Sequence, residues 1–259
     1  MSSPELKNTL LRALHAGGEI LQYYFEGTFE VKSKDTLNNL VTEVDQKSEE
    51  AIIQVIQDIY PDHFILSEEV GELSTASAYK WIIDPIDGTV NFAHGIPICC
   101  ISIGLEFEGR MLMGGVYNPF MRELYFAEKG QGAFLNNKAL RVSQNNQLEI
   151  ACLVTGFPYR WAKIETDPIP VFERFVRLGL PVRRLGSAAL DLCWVAAGRF
   201  DGFWEYNLNP WDIAAGYLIV EEAGGRISNF KGEPYSVYDK ETLATNGFIH
   251  EQMLDVISH

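Results

Sequence analysis

Apolar positions at the start of the chain recur at helical spacing. Leu6, Leu10, Leu14, Gly17, Leu21 and Tyr24 share one helical face, with Ser3 placed to cap the helix and Pro4 at its first position. A second amphipathic run, Asp45 to Ile59, puts Ala51, Ile52, Val55, Ile56 and Ile59 on one side, and Pro61 closes it. The pattern then shortens to strand-like runs: "HFILS", "KWIID", "ICCISIGLEF", "RMLMGGVYN" and "ELYFAE". "AFLNNKALRVS" reads as a hairpin turning at Asn136-Asn137. The first half is therefore expected to be two helices against a mostly antiparallel sheet.

From residue 151 onward the pattern alternates: strand "ACLVTGF", helix from Pro170 to Leu178, strand "VRRL", helix "SAALDLCWVAAG", strand "DGFWEY", helix "PWDIAAGYLIVEEAG", strand "GRISN". Such alternation predicts an α/β layer. A boundary near Ser143 to Leu148 divides an α+β layer, residues 1–145, from an α/β layer, residues 146–259, within one compact unit. The chain has 259 residues, 47% of them hydrophobic, which is ample for a sizeable core. A net charge of -14 argues against neutralising a phosphate backbone, so no nucleic-acid partner is expected. No apolar run of membrane-spanning length occurs, and no basic region precedes an apolar block at the N-terminus; no membrane partner and no signal peptide are expected. Cys99, Cys100, Cys152 and Cys193 lack metal-type spacing and read as buried thiols of a reducing cytoplasm, the first two pointing to opposite faces of a strand.

One segment leaves the core through two charges. In "WIIDPIDGTVNF", Pro85 biases Asp84 towards an extended conformation, so the strand is expected to stop there with its carboxylate at the sheet end. Gly88 lets backbone approach a ligand, and Thr89 can cap a helix whose free N–H groups favour phosphate. Phosphate beside two carboxylates requires cations between them, and Mg²⁺ suits a site of few carboxylates completed by water and substrate oxygens. Read alone, such a turn is equally a capped turn. Other apolar stretches deliver further acids: "FILSEEVGE" ends in Glu68 and Glu69, "LVTEVDQ" brings Asp45 to a helix start, and "NPWDIAAGYLIVEEAGG" puts Asp212 in a first helical turn. The competing role for Asp212 is pairing with the helix dipole.

These stretches together resemble the inositol monophosphatase family, the Mg²⁺-dependent, lithium-sensitive phosphatases, over nearly the whole chain. Val90 departs from a common threonine, and "SEE" stands where "GEE" is common; Glu68 itself is retained. The resemblance implies a layered αβαβα sandwich of the sugar-phosphatase type, a homodimer, and two or three Mg²⁺ ions. Glu68, Asp84 and the Ile86 carbonyl would hold one ion; Asp84, Asp87 and Asp212 a second. Phosphate would rest on Gly88 and Thr89. A metal-activated water, oriented by Glu68 and Thr89, would attack in line, and Asp45 would hydrogen-bond the Thr89 hydroxyl and help take the proton. Lys34 matches a lysine on a loop beside the metals, or is a solvated surface lysine.

On the alcohol side the resemblance points to Gly186, Ser187, Ala188 and Glu205, the last otherwise a strand-edge charge. The loop "TGFPYRWAKIETDP" suits either a pocket cover or a dimer contact. Arg183 and Arg184 could meet phosphate but are expected to pair with surface acids. The implied activity is hydrolysis of inositol monophosphate. The alternatives are fructose bisphosphate, histidinol phosphate or a 3′-phosphonucleotide as substrate, or a regulatory binding protein on the same fold.

Overall fold

Two sheets and three helical layers alternate in the computed structural model, which describes residues 3–25, 27, 29–33, 40–73, 75–158 and 166–259. The long α1 (Ser3–Tyr24) and α2 (Glu43–Gln57) form the first layer, with the short pair β1 (Val31–Ser33) and β2 (Leu40–Thr42) between them in the chain. They cover an eight-stranded sheet ordered β10-β9-β8-β7-β6-β5-β3-β4. Its strands are β3 (Phe64–Ser67), β4 (Gly71–Leu73), β5 (Tyr79–Asp87), β6 (Cys100–Phe107), β7 (Arg110–Asn118), β8 (Glu123–Glu128), β9 (Gly132–Leu135) and β10 (Lys138–Ala139). The β3–β5 pair is parallel and the rest antiparallel. The short α3 (Thr89–Ala93) follows β5 directly.

The second sheet runs β12-β11-β13-β15-β14. It comprises β11 (Leu153–Thr155), β12 (Val182–Arg183), β13 (Gly202–Tyr206), β14 (Arg226–Ser228) and β15 (Glu241–Thr245). Helices α5 (Ala188–Ala196) and α6 (Pro210–Glu222) lie between the sheets, and α4 (Ile169–Arg177) and α7 (His250–Ser258) cover the far face.

Alternation along the strands sends successive side chains to different layers. Trp81, Ile83, Ile101 and Ile103 pack with Leu10, Leu14, Ile52 and Ile56 of the first helical layer. Ile82, Cys100, Met111 and Val116 face the middle layer, meeting Leu190, Leu192, Ile213 and Leu218, and the same core reaches Val154, Phe203 and Ala244 of the second sheet. Leu153, Trp204 and Leu243 turn outward onto Phe175 and Met253. The αβαβα order expected from the resemblance is the one found. Cys99 and Cys100 enter opposite cores, and all four cysteines are free thiols.

Several boundaries move. α2 begins at Glu43, two residues early, because Thr42 forms a capping box with Asp45: Thr42 Oγ1 accepts from Asp45 N at 3.4 Å, and Asp45 Oδ2 accepts from Thr42 N at 2.7 Å. Asn136 and Asn137 take φ of 47° and 65°, the left-handed pair of a two-residue hairpin joining β9 to β10, as the Asn-Asn step predicts. β4, β15 and α7 were not anticipated.

Candidate active site

The ends of β3 and β5 and the starts of α2, α3, α5 and α6 meet around a cavity of about 420 Å³. Its walls include Glu68, Asp84, Ile86, Asp87, Gly88 and Thr89 from the first half, and Gly186, Ser187, Ala188, Glu205 and Asp212 from the second. Thus eleven residues singled out in the sequence converge on one space, and Asp45 touches it through Thr89.

β5 does not stop at Asp84. It continues to Asp87, and its pairing with β6 shifts register between these two aspartates. Pro85 has no N–H to give the ladder, and Ile86 N turns back to Asp84 Oδ1 at 3.0 Å. Gly88 then adopts φ 93°, ψ 37°; a Cβ there would stand 2.8 Å from Ile98 O and 3.2 Å from Gly186 O. Gly88, rather than Thr89, occupies the cap position of α3. Thr89 is the first helical residue, and its hydroxyl lies 3.0 Å from both Asp45 Oδ1 and the Ile86 carbonyl, one proton between two acceptors.

Asp87 Oδ2 accepts from Ser187 Oγ at 2.5 Å and from Ala189 N at 2.8 Å, tying β5 to the start of α5. Asp212 is the third residue of α6 and accepts from Asn209 N at 2.7 Å in a second capping box, so the helix-terminal role weighed for it in sequence is realised alongside its place in the cavity wall. Burial pushes the Asp45 carboxyl up to about 6, against the lowering by Thr42, with Glu68 adding repulsion. Burial, then Glu68, raises both Asp87 and Asp212. Glu205 is pushed up to about 8 by burial and then by Asp212, with Arg184 opposing.

Three further groups were missed or misplaced. Asp191, buried in the otherwise apolar α5, lines the cavity, and its Oδ1 has no hydrogen-bond partner. Its only signal was one charge inside an apolar helix. Arg184, just past the end of β12, lines the cavity; Arg183 beside it does not. Phe157 and Pro158 place the start of the 155–168 loop against the cavity, whereas residues 159–165 and Lys34 lie outside the described residues.

Among the described residues, no three His, Cys, Asp or Glu side chains stand at metal-ligand spacing. The donor set nevertheless fits a hard divalent cation. Glu68, Asp84, Asp87 and Asp212 share one cavity, Arg184 is the one cationic side chain among its described walls, and neither His nor an exposed thiol joins them. Asp84, Asp87 and Asp212 are each held by a backbone N–H on one oxygen, which orients the carboxylate and leaves acceptor sites for a cation.

The sequence matches the inositol monophosphatase family over residues 4–258. It is 43% identical over 246 residues to an inositol-1-monophosphatase of Synechocystis sp., covering 95% of this chain and 85% of the relative. It is 42% identical over 257 residues to the Nus factor SuhB of Pseudomonas aeruginosa, covering 96% and 94%. The solved inositol monophosphatase of Anabaena (Nostoc) sp. superposes with a TM-score of 0.87 at 37% identity, covering 98% of this chain and 96% of that one.

Proposed function

This chain belongs to the inositol monophosphatase family of phosphatases, and from that premise we propose that it is a Mg²⁺-dependent phosphomonoesterase that releases inositol and phosphate from inositol monophosphate. The observation that carries the reading is the cavity in which four carboxylates face the Gly88–Thr89 turn. Glu68, Asp84 and the Ile86 carbonyl would hold one Mg²⁺, and Asp84, Asp87 and Asp212 a second. Bound there, the ions offset the charge of the phosphoryl group, lower the pKa of water and stabilise the leaving oxygen.

The chain's own groups do the rest. The opening N–H groups of α3 have no partner inside the helix and suit phosphate oxygens. The Thr89 hydroxyl, held by Asp45, orients the attacking water, and Asp45 with Glu68 draws off its proton. Gly186, Ser187, Ala188 and Glu205 receive the alcohol half, with Arg184 beside them. A cytoplasmic homodimer belongs to the same reading; among the described residues no helix is long and apolar enough to cross a membrane.

Excess chelator should abolish hydrolysis and Mg²⁺ restore it, and Li⁺ should inhibit. Across inositol monophosphate, fructose bisphosphate, histidinol phosphate and a 3′-phosphonucleotide, kcat/KM should be highest for inositol monophosphate. Activity that persists in chelator overturns the metal reading; preference for another ester overturns the substrate. The SuhB relative favours a second reading, a regulatory role through a partner, which binding assays with a turnover-dead variant would separate from catalysis.

A further inference from the structure

One face of α2 touches three separate segments of the site. Asp45 reaches Thr89, Ser48 Oγ donates to the Pro85 carbonyl at 2.9 Å, and Glu49 reaches the turn after β3. Glu49 is 2% exposed. Its Oε1 accepts from Ser67 Oγ, from Glu69 N at 3.1 Å and from Val70 N at 3.2 Å. These donors come from immediately before and immediately after Glu68, whose own N–H donates to the Ile83 carbonyl at 3.2 Å. That one oxygen thus holds the Ser67 side chain just before Glu68 and the backbone of Glu69 and Val70 just after it.

A turn has no need of a buried carboxyl group, which is expensive to desolvate unless its hydrogen bonds are made. Three donors converging on one buried oxygen hold the turn stiffly, since leaving any of them unpaired would cost its desolvation. We propose that Glu49 is a positioning residue for Glu68: it sets the turn so that the Glu68 carboxylate faces the cavity at the height of Asp84. The inference rests on the reading of Glu68 as a cation ligand.

The test is a calorimetric titration of Mg²⁺ into the intact protein without substrate, with Tm measured alongside. Partners that orient a metal ligand cost about 10–100-fold in metal affinity when removed, and Glu49→Ala should show a loss in that range. Glu49→Gln keeps one oxygen for the three donors and should recover most of it. In a Glu68→Ala background, Glu49→Ala should produce no further loss. An unchanged Mg²⁺ affinity in a Glu49→Ala protein that merely melts earlier overturns the proposal, as does an equal loss in both backgrounds. If Glu49→Ala does not fold, Ser67→Ala removes one of the three donors and should weaken Mg²⁺ several-fold with the fold intact; unchanged affinity there overturns the proposal equally. A Glu68→Ala protein that binds Mg²⁺ like the wild type overturns the ligand reading of Glu68 instead.

Discussion

Replacing Thr89 by Ala separates its hydroxyl from its backbone N–H. Asp45 keeps both bonds from Thr42 on Oδ2 but loses its Thr89 partner on Oδ1, in a position with 0% exposure. A hydrogen bond to a charged group is worth about 1.5–3 kcal/mol. For a chain of this size each kcal/mol shifts Tm by roughly 2–4 °C, so a fall of roughly 3–12 °C is expected. No cap loss adds to this, because Gly88 occupies the cap position. The kinetic effect is larger: losing a positioned proton-transfer partner costs about 10²–10⁴ in rate, or about 3–5 kcal/mol of barrier. Thr89→Ser restores a hydroxyl and should bring Tm to within a few degrees and the rate to within about tenfold. Single-turnover rates at saturating substrate and Mg²⁺, with melting curves on all three proteins, make the comparison. If Thr89→Ala melts early but turns over normally, Thr89 is only a tie between α2 and α3, and Asp45 leaves the mechanism with it.

Asp212→Asn should leave Tm nearly unchanged, since Asn can still accept from Asn209 N and the replaced carboxyl is raised by burial and repulsion; turnover and calorimetric Mg²⁺ binding should both fall by orders of magnitude, and normal turnover would reduce Asp212 to its capping role. A Cβ on Gly156 would overlap the Glu205 carboxylate, so Gly156→Ala should cost about 1–3 kcal/mol and raise KM for inositol monophosphate about tenfold while inhibition by free phosphate stays put; equal changes in both would detach Glu205 from the alcohol side. His250 is buried between Ser228 Oγ and Thr245 Oγ1, and burial lowers it to about 4. Above pH 6.5 it is neutral folded or unfolded; as pH falls towards 4 the unfolded chain takes a proton the folded one refuses, and up to about 3 kcal/mol of stability is lost. His250→Gln should flatten that loss in urea melts across pH 4–7, and parallel curves would refute the assignment.

The first half of the fold was legible where its strands are long, as in β5 to β8, or bounded by strong turn signals, such as the Asn136-Asn137 step. β15 is the short run "ETLAT", and α7 is nine residues starting after Ile249 without a side-chain cap. Neither offers enough period to stand out, and both are fixed by what they pack on. Site residues that share a short motif were visible together: Asp84, Asp87, Gly88 and Thr89 occupy six positions. Arg184 and Glu49 carry no local mark, and Asp191 only its charge within an apolar helix, since their importance comes from distant segments folded against them. The α2 start was misplaced because Asp45 was read as a helix-opening acid, when it bonds backward to the true cap at Thr42.

The layer order also has a consequence in time. Asp87 leaves the ribosome roughly 125 residues before Asp212, an interval of roughly 6–25 s at ordinary rates of synthesis. Until α5 and α6 arrive, the eight-stranded sheet can fold on α1 and α2 but must leave Ile82, Met111, Val116 and Tyr125 uncovered on its other face. The last acid of the cavity and the lid of that apolar face are the same helix, α6. The growing chain is thus spared the full cluster of negative charge until the moment its exposed sheet is sealed, and a chain cut short before α6 lacks both Asp212 and the cover of that face.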